Sequence, residues 1–292
     1  MRINGVTYHH PLANITNGAG AAGGGGGGGA WSDTKSYDFD GVDDYVSIHP
    51  AVATGMFDFA NTGTGYSVSV WFKGGLTDGT YERLWSICRA SGTSSYEWQA
   101  LTIRTVSGVG TVWAQGFGGG GGLWKTPASP SGGSGYVAVN SGHTHGIQPS
   151  DGNWHHICVT VDTTQNQDEG IKLYLDGNYA GYAYVSNRTE DFGEGAFACL
   201  FYKGGSRIVN HFSGLIAQGS HYSSAISAEQ VTAIYAGGNS MDERTLTPAP
   251  VNFYRFGDGD SDFPTVVDYG TADKDGTAVN MEASDIVEDS PP

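Results

Sequence analysis

The sequence has only three cysteines, which excludes a fold that depends on several disulfide bonds or on cysteine-ligated zinc. Cys88, Cys158 and Cys199 are an odd number and lie far apart, each inside an apolar, strand-like run. We expect free, buried thiols that act as small hydrophobic side chains, which suits assembly in a reducing cytoplasm. No Cys-x-x-Cys pair occurs, so a structural zinc site is not expected.

Cations and long apolar runs are also scarce. Lys and Arg number 14 against 30 Asp and Glu, a formal net charge of −16. An acidic surface of this kind argues against nucleic acid or an anionic membrane as a partner. No apolar run approaches the ~18 residues that a membrane helix needs. The start, MRINGVTYHHPLAN, lacks the regions of a signal peptide, so either the protein is not exported by that route or the given chain is mature.

Alternation of apolar and polar residues is the strongest pattern present, and it is clearest over residues 153–181. A strand is predicted at 154–162, followed by a second at 172–175. Asp176-Gly177 accepts the positive backbone dihedrals of a two-residue hairpin turn, and the chain then returns through 179–184. The stretch therefore predicts three antiparallel strands of an all-β domain. The β-branched residues of its first strand share one face: Ile157, Val159 and Val161.

Two motifs in this stretch, W-H-H-I-x-V-T-x-D and K-L-Y-L-D-G, resemble the central signature of the laminin-G-like, concanavalin-A-like jelly rolls. Residues 36–48, 66–73 and 212–235 match that pattern in the same order. The resemblance implies an all-β sandwich of two antiparallel sheets. The capping box Ser227–Gln230 adds one short helix, from Ala228 to about Ala236.

The chain divides into three predicted parts. Residues 1–33 form a Gly-rich arm, which is either a flexible linker or a segment whose glycines allow close packing on an oligomer axis. Residues 34–240 form the jelly roll, with an insertion at about 118–152. Residues 241–292 are expected to pack back on the sandwich as edge strands, with a loose acidic tail from about Ser284.

The residues do not predict catalysis. Glycoside hydrolysis needs two carboxylates about 5–10 Å apart, and glucanases that share this jelly roll place them as Glu-x-Asp-x-(x)-Glu on one strand. The nearest stretch, residues 190–194, has its first two acids adjacent, where they would face opposite sides of a strand. The glycine tracts lack the Lys-Ser/Thr of a phosphate loop. We therefore expect no enzyme activity and no catalytic residues.

Calcium is the one cofactor that the sequence suggests. Asp258, Asp260 and Asp262 alternate, and hard oxygen ligands suit calcium. Tyr269 stands where the bidentate Glu of a helix–loop–helix calcium loop would be, so a solvated acidic turn is the alternative. The acids of the corner at 38–44 are either calcium ligands or caps of the turn. His143 and His145 are candidate metal ligands or plain solvated residues.

Three tryptophans are candidates for stacking on sugar rings: Trp98, Trp113 and Trp124. The alternative is that they belong to the core of the sandwich. The resembled family commonly carries Asp-Glu after the Gly-Leu-Ile of its late strand, whereas this chain has Ala217-Gln218. That departure weakens the transfer of any site that rests on those acids.

Jelly rolls with this C-terminal segment resemble proteins of bacteriophage particles, which implies a non-enzymatic tail, fibre or capsid-surface component. Its expected partners are other virion proteins and a cell-surface polysaccharide, its assembly is expected to be a trimer, and its location is the virion, built in the host cytoplasm. The alternative function is a freestanding, calcium-dependent lectin-like module. The two differ in whether residues 1–33 dock in an assembly.

Overall fold

A computed structural model gives the fold of most of the chain. Residues 1–31, which hold nearly all of the predicted arm, lie outside the described part. The structure describes residues 32–48, 65–74, 81–89, 98–106, 109–117, 124–125, 135–140, 151–162, 164, 170–185, 192–201 and 208–292.

Nineteen strands and one α-helix occur within these ranges. Their abundance agrees with the predicted all-β class. In chain order they are β1 (Ser36–Asp40), β2 (Tyr45–Ser47), β3 (Gly65–Gly74), β4 (Tyr81–Arg89), β5 (Trp98–Val106), β6 (Val109–Phe117), β7 (Trp124–Lys125), β8 (Gly135–Asn140), β9 (His155–Asp162), β10 (Ile171–Leu175), β11 (Asn178–Val185), β12 (Phe192–Phe197), β13 (Leu200–Phe201), β14 (Ile208–Val209), β15 (Ser213–Tyr222), α1 (Ala228–Tyr235), β16 (Asn252–Tyr254), β17 (Thr265–Val266), β18 (Gly276–Val279) and β19 (Ile286–Val287).

Two large antiparallel sheets form the sandwich. The first has the order β19-β1-β15-β3-β9-β10-β11-β7, with β16 also paired to β15, and the second has the order β17-β18-β2-β12-β4-β5-β6-β8. Strands β13 and β14 pair separately. The main core lies between the two sheets and is built from inward-facing residues of both, such as Val159, Phe72, Trp85 and Phe197.

The predicted three-strand unit is present as β9, β10 and β11. Strand β10 pairs with β9 on one side and β11 on the other. Asp176 and Gly177 have φ of 49° and 72° and form the turn between β10 and β11, as their dipeptide predicts. The predicted apolar face, Ile157, Val159 and Val161, is fully buried in the main core.

The opposite face of β9 is buried as well, because α1 covers the outer side of the first sheet. Ser227 and Gln230 form the predicted capping box at the start of α1. Val231 and Ile234 of the helix pack with Cys158 and Tyr222 of the sheet. The sheet is therefore a middle layer with an apolar surface on each side.

One predicted strand is wrong. The sequence predicts a continuous strand over 197–202, with Phe197, Cys199 and Phe201 on one side. The structure ends β12 at Phe197 and resumes at Leu200, because Ala198 adopts a left-handed φ of 65°. Phe197 consequently enters the main core, whereas Cys199 packs in a smaller cluster with Cys88. All three cysteines are free and buried, as predicted.

The C-terminal segment joins both sheets. Strand β16 pairs with β15, β18 pairs with β2, and β19 pairs with β1. The prediction of a loose tail is wrong, because the tail has specific partners. Asp289 accepts hydrogen bonds from Nζ of Lys73 at 2.7 Å and from Nε1 of Trp154 at 2.8 Å.

The same segment holds the chain where it enters β1. Nε of Arg255 donates to Asp33 at 2.8 Å, and the hydroxyl group of Ser290 donates to the Asp33 carbonyl at 3.0 Å. The carboxylate of Asp258 accepts from the backbone N–H groups of Thr34 and Lys35 at 2.7 and 2.9 Å. We call Asp33, Arg255, Asp258 and Ser290 the entry clamp.

The predicted insertion at 118–152 contributes two strands. Strand β7 pairs with β11 at the end of the first sheet, and β8 pairs with β6 at the end of the second. Among the helices that the structure describes, none has the length and apolar character needed to span a bilayer.

Candidate functional site

A cleft of about 450 Å³ opens beside the end of β1. It lies between the turn that follows β1, the first residues of β4, and the chain that links β14 to β15. We call it the β1–β4 cleft. Its lining includes two carboxylates, an amide, an imidazole, a phenol ring and an aliphatic side chain: Asp40, Glu82, Asn210, His211, Tyr81 and Val42.

The turn on one side of the cleft is built by its own acids. Oδ1 of Asp40 accepts the backbone N–H of Val42 at 2.7 Å, and Oδ2 of Asp44 accepts the backbone N–H of Asp40 at 3.1 Å. Gly41 has a φ of +76°, and a Cβ there would lie 2.7 Å from Cβ of Ser213, so only glycine lets the turn approach β15 so closely. The hydrogen bonds support the interpretation that these acids cap the turn.

This turn presents negative charge and an apolar tip. Burial alone would raise the pKa of Asp40, but the backbone N–H groups of Val42, Asp43 and Asp44 outweigh it and hold the pKa below its usual value. Asp40 is therefore ionised at neutral pH. Val42 is 71% exposed, which makes it an apolar rim beside the carboxylate.

The opposite wall is held by backbone contacts. The Asn210 carbonyl accepts the backbone N–H of Arg83 at 3.0 Å, and Oε2 of Glu82 accepts the backbone N–H of Ser213 at 2.9 Å. Asn210 has a left-handed φ of 58° and an exposed side chain. The wall is thus fixed through its backbone while the amide of Asn210 faces solvent.

His211 joins the two walls. Its Nδ1 lies 3.1 Å from the carbonyl oxygen of Asp44. A carbonyl only accepts, so Nδ1 carries the proton, and in the neutral ring Nε2 is an acceptor. The imidazole thereby locks the turn to the β14–β15 link.

The carboxylates of this turn are also the candidate metal ligands. Asp40, Asp43 and Asp44 each offer an oxygen, and these atoms lie within 4.8 Å of one another. In the part of the chain that the structure describes, this is the one group of three such ligands. Oxygen donors suit calcium, although Asp40 and Asp44 also hold the turn by hydrogen bonds.

The predicted calcium ligands at 258–262 have other contacts. Asp258 belongs to the entry clamp, and Asp260 accepts from the hydroxyl group of Tyr37 at 2.9 Å and from the backbone of Gly257 and Val267 at 2.8 Å each. Asp262 is exposed. Calcium at this turn stays a prediction, as does metal binding by His143 and His145, which lie outside the described residues.

The three predicted sugar-stacking tryptophans do not share one strand or one sheet. Trp98 in β5 and Trp113 in β6 belong to the second sheet, and Trp124 in β7 belongs to the first. Trp113 pairs with Thr102, four residues along β5 from Trp98. Their side chains lie outside the described part of the structure, so their role in glycan binding stays a prediction.

The signature histidines lie in the fold rather than in a cleft. His155 sits between two carboxylates, with Nδ1 2.9 Å from Asp176 and Nε2 3.1 Å from Asp151. His156 is fully buried, which lowers its pKa to about 4, and its Nε2 lies 2.8 Å from the hydroxyl oxygen of Ser69. These side chains fasten β9 to its neighbours.

A buried carboxylate that sequence reasoning missed lies beside Ser69. Oε2 of Glu243 accepts hydroxyl hydrogen bonds of 2.5 Å from Ser220 and Tyr222. Oε1 accepts from Ser69 at 3.4 Å. Burial raises the pKa of Glu243 to about 7, against the lowering effect of these hydroxyl groups. No sequence motif marks this site, because its members come from three separate elements.

Sequence reasoning also missed most of the β1–β4 cleft. It weighed the acids of the turn at 38–44, but not Tyr81, Asn210 or His211. The departure at Ala217-Gln218 does have a structural explanation. Gln218 is buried, donates to the carboxylate of Asp33 and lies 3.2 Å from the carbonyl of Met241, so it ties β15 to the entry clamp.

Comparison with known families identifies the class. Residues 40–232 match the family described as the concanavalin A-like lectin/glucanases superfamily, and the chain belongs to that superfamily. The match begins at the turn of the cleft and ends inside α1. The predicted two-sheet jelly roll is confirmed. A search of curated proteins finds no match.

Several solved structures resemble the chain. The CBM40 of the Ruminococcus gnavus IT-sialidase, bound to α2,3-sialyllactose, is 11% identical over 70% of this chain and 100% of its own, with a TM-score of 0.46. The leech intramolecular trans-sialidase is 12% identical over 74% of this chain and 30% of its own, with a TM-score of 0.47. Domain 4 of the Geobacillus stearothermophilus arabinanase AbnA, in complex with arabinotriose, is 18% identical over 72% and 82%, with a TM-score of 0.39.

Proposed function

We propose that this protein is a non-enzymatic glycan-binding module that serves as a structural and adhesion component of a bacteriophage particle. Membership of a superfamily named for lectins and glucanases supports the glycan part. The β1–β4 cleft is the observation that carries it, because this cleft offers a ligand both polar and apolar contacts on a fixed backbone.

The composition of the cleft suits a saccharide. Its volume of about 450 Å³ falls within the roughly 300–1,000 Å³ of small-molecule sites. Sugar hydroxyl groups need acceptors and donors at fixed positions, which Asp40, Asn210 and His211 supply. The ring of Tyr81 and the methyl groups of Val42 offer apolar surface to the C–H faces of a sugar.

The particle role is supported by the resemblance of the C-terminal segment to that of phage proteins. In the structure that segment supplies the entry clamp, which holds Asp33 and Thr34 in place. Because the contacts of Asp33 and Thr34 fix the point where the Gly-rich arm joins the sandwich, they suit a subunit that docks through residues 1–33. Light scattering on the full chain tests this: a discrete oligomer, with three copies expected, supports it, and a monomer contradicts it.

A glycan array with the purified full chain tests the binding function. Asn210→Gly is the matched variant, because glycine accepts the φ of 58° and keeps the carbonyl that Arg83 contacts, while the amide is lost. We expect array signals that fall in this variant. An array without signals, or signals that the variant leaves intact, would contradict binding in the cleft.

The alternative function is a freestanding, calcium-dependent lectin-like module. The cluster of Asp40, Asp43 and Asp44, whose oxygens could bind calcium, is the observation that favours this alternative. Repeating the array and the light scattering in EDTA separates the two. Binding that vanishes in EDTA from a monomeric chain supports the lectin. Release of reducing sugar from any bound glycan would contradict the non-enzymatic role.

A further inference from the structure

The chain between α1 and β16, residues 237–250, meets the first sheet through a carboxyl group. We call these residues the strap. Its 3₁₀ turn, Glu243–Thr245, places the side chain of Glu243 in a fully buried position. Hydroxyl groups of β3 and β15 hold that carboxyl group, and they belong to Ser69, Ser220 and Tyr222. The strap is thus attached to two neighbouring strands through a group that titrates.

The surroundings of this carboxyl group favour its neutral form. Burial is the largest effect and the charge of Asp33 acts in the same direction, so together they outweigh the hydroxyl donors and raise the pKa of Glu243 to about 7. Three more titratable side chains face the network, those of Tyr222, His156 and Cys158. Burial raises the pKa of Tyr222 and of Cys158 and lowers that of His156 to about 4. All three are therefore uncharged at neutral pH.

The charged side chains that flank Glu243 in the strap are paired with each other. Oδ1 and Oδ2 of Asp242 accept from Nε and Nη2 of Arg244, at 2.8 Å each. The guanidinium group also lies over the ring of Tyr269. Among the described residues, the hydrogen-bond donors to Glu243 are hydroxyl groups. An ionised Glu243 would therefore be a buried charge held by neutral donors, which is a costly arrangement.

Gln218 connects the strap to the entry clamp. Its Nε2 donates to the carboxylate of Asp33 and lies 3.2 Å from the carbonyl of Met241, two residues before Glu243. Asp33 in turn accepts from Arg255 at 2.8 Å. A negative charge on Glu243 repels that of Asp33. Ionisation of Glu243 therefore destabilises the strap and the clamp together.

We propose that the strap is a pH-sensitive latch. It closes on the first sheet in mildly acidic solution, where Glu243 carries a proton, and it opens more readily above neutral pH, where that proton is lost and the carboxylate gains water by leaving the sheet. Because Gln218 contacts both Met241 and Asp33, opening also loosens the point where the arm joins the sandwich. The latch operates whether or not the β1–β4 cleft binds a glycan.

Hydrogen–deuterium exchange of the full chain measures the opening. In the open strap Glu243 regains the ordinary pKa of 4.5, against about 7 when the strap is closed. The equilibrium constant for opening should therefore rise about twentyfold between pH 5.5 and pH 7.5. The amides of Thr245 and Leu246, whose hydrogen bonds lie within the strap, report this constant after correction for the intrinsic exchange rate at each pH.

Two further sets of amides show how far the opening extends. The amides of Thr34 and Lys35, which Asp258 holds, should lose protection over the same pH range. If they keep it while the strap opens, the coupling to the clamp is wrong. The amides of β9, in the middle of the first sheet, should stay more protected than the strap. If β9 and the strap exchange together at every pH, the whole fold opens and the latch is overturned.

A pair of charge variants shows whether Glu243 is the titrating group. Glu243→Gln keeps an oxygen for the hydroxyl donors and removes the charge, so the opening constant of the strap should be nearly the same at pH 5.5 and pH 7.5. Glu288→Gln removes an exposed carboxylate that follows β19, and the twentyfold rise should persist. A rise that persists in Glu243→Gln would overturn the proposal.

Tyr222→Phe provides a second test that does not depend on the folding of Glu243→Gln. Loss of this donor makes an ionised Glu243 less stable in the closed strap, so the opening constant should continue to rise above pH 7.5, where that of the wild type levels off. If the hydroxyl group is only structural, its loss raises the opening constant by the same factor at every pH, and that result would contradict the latch.

Discussion

The hydroxyl group of Tyr222 donates a hydrogen bond of 2.5 Å to Oε2 of Glu243, and both side chains are buried. Ser220 and Ser69 complete the hydroxyl shell of the same carboxylate. The network holds the 3₁₀ turn Glu243–Thr245 on the outer face of the first sheet. A carboxylate in such a place makes the stability of the fold depend on pH.

Glu243→Gln should flatten part of that pH dependence. The unfolded chain loses the Glu243 proton near pH 4.5, whereas the folded chain keeps it to about pH 7. Between these two pKa values the folded state binds more protons than the unfolded state. Ionisation of Glu243 therefore lowers the free energy of unfolding by about 3 kcal/mol as pH rises through this range. Urea unfolding of both proteins at pH 5 and pH 7.5 measures the difference. Glu288→Gln is the control, and an equal fall in all three proteins would contradict the assignment.

Asp151→Asn should lower the pKa of His155. Burial alone would lower this pKa, but the carboxylates of Asp176 and Asp151 outweigh it and raise the pKa above its usual value. With a carboxylate at each ring nitrogen, the doubly protonated ring is favoured. The stability that His155 contributes is therefore complete below pH 6.5 and is lost as pH rises through the folded pKa. An NMR titration of the His155 ring measures the shift; Asp262→Asn, at an exposed residue, should leave that ring unchanged.

Gly270→Ala should destabilise the fold by at least about 2 kcal/mol, since overpacking forces backbone to move. A Cβ at residue 270 would lie 2.3 Å from the carbonyl oxygen of Val251 and 2.4 Å from Cα of Asn252. Gly237→Ala is the matched control: its φ of +73° is strained for alanine, but no atom lies within 4 Å of the added carbon. It should cost about 1 kcal/mol. Equal losses in urea unfolding would contradict the steric explanation.

Asp258→Ala should open the entry clamp. Two backbone N–H groups and the hydroxyl group of Thr34 lose their acceptor, which destabilises the start of β1 by about 1–3 kcal/mol. Lys35 is the first Lys or Arg after Arg2, so trypsin reports directly on this opening. Mass spectrometry should show faster cleavage after Lys35 in the variant. The control is Asp262→Ala, four residues further along the same turn. Trypsin should cleave this variant after Lys35 at the wild-type rate.

Local patterns predicted the parts of the fold that local forces decide. The turn at Asp176-Gly177 and the capping box Ser227–Gln230 each depend on a few neighbouring residues, and both are present. The buried face of β9 follows from alternation alone. The break at Ala198 could not be predicted from the sequence. Alanine does not favour a left-handed φ, so tertiary contacts impose this conformation.

The candidate site also could not be predicted from local patterns, because tertiary contacts between distant segments form it. The β1–β4 cleft brings residues 40–42, 81–82 and 208–213 together only because β1 and β4 belong to opposite sheets that meet at this edge. Glu243 lies 174 residues from its partner Ser69. Asp40 could be predicted as a candidate because its turn has an aromatic-Asp-Gly pattern. Asn210 could not be predicted, because no motif surrounds this single asparagine.

Strand β1 runs from the entry clamp at one end to the β1–β4 cleft at the other, with β15 and β19 hydrogen-bonded along its sides. Under the proposed function, a force between a glycan bound in the cleft and the chain at Ser32 would act along the length of β1. The strand would have to slide past β15, so its hydrogen bonds would share the force side by side instead of opening one after another. If the proposed adhesion function holds, this arrangement of β1 would resist unfolding under tension.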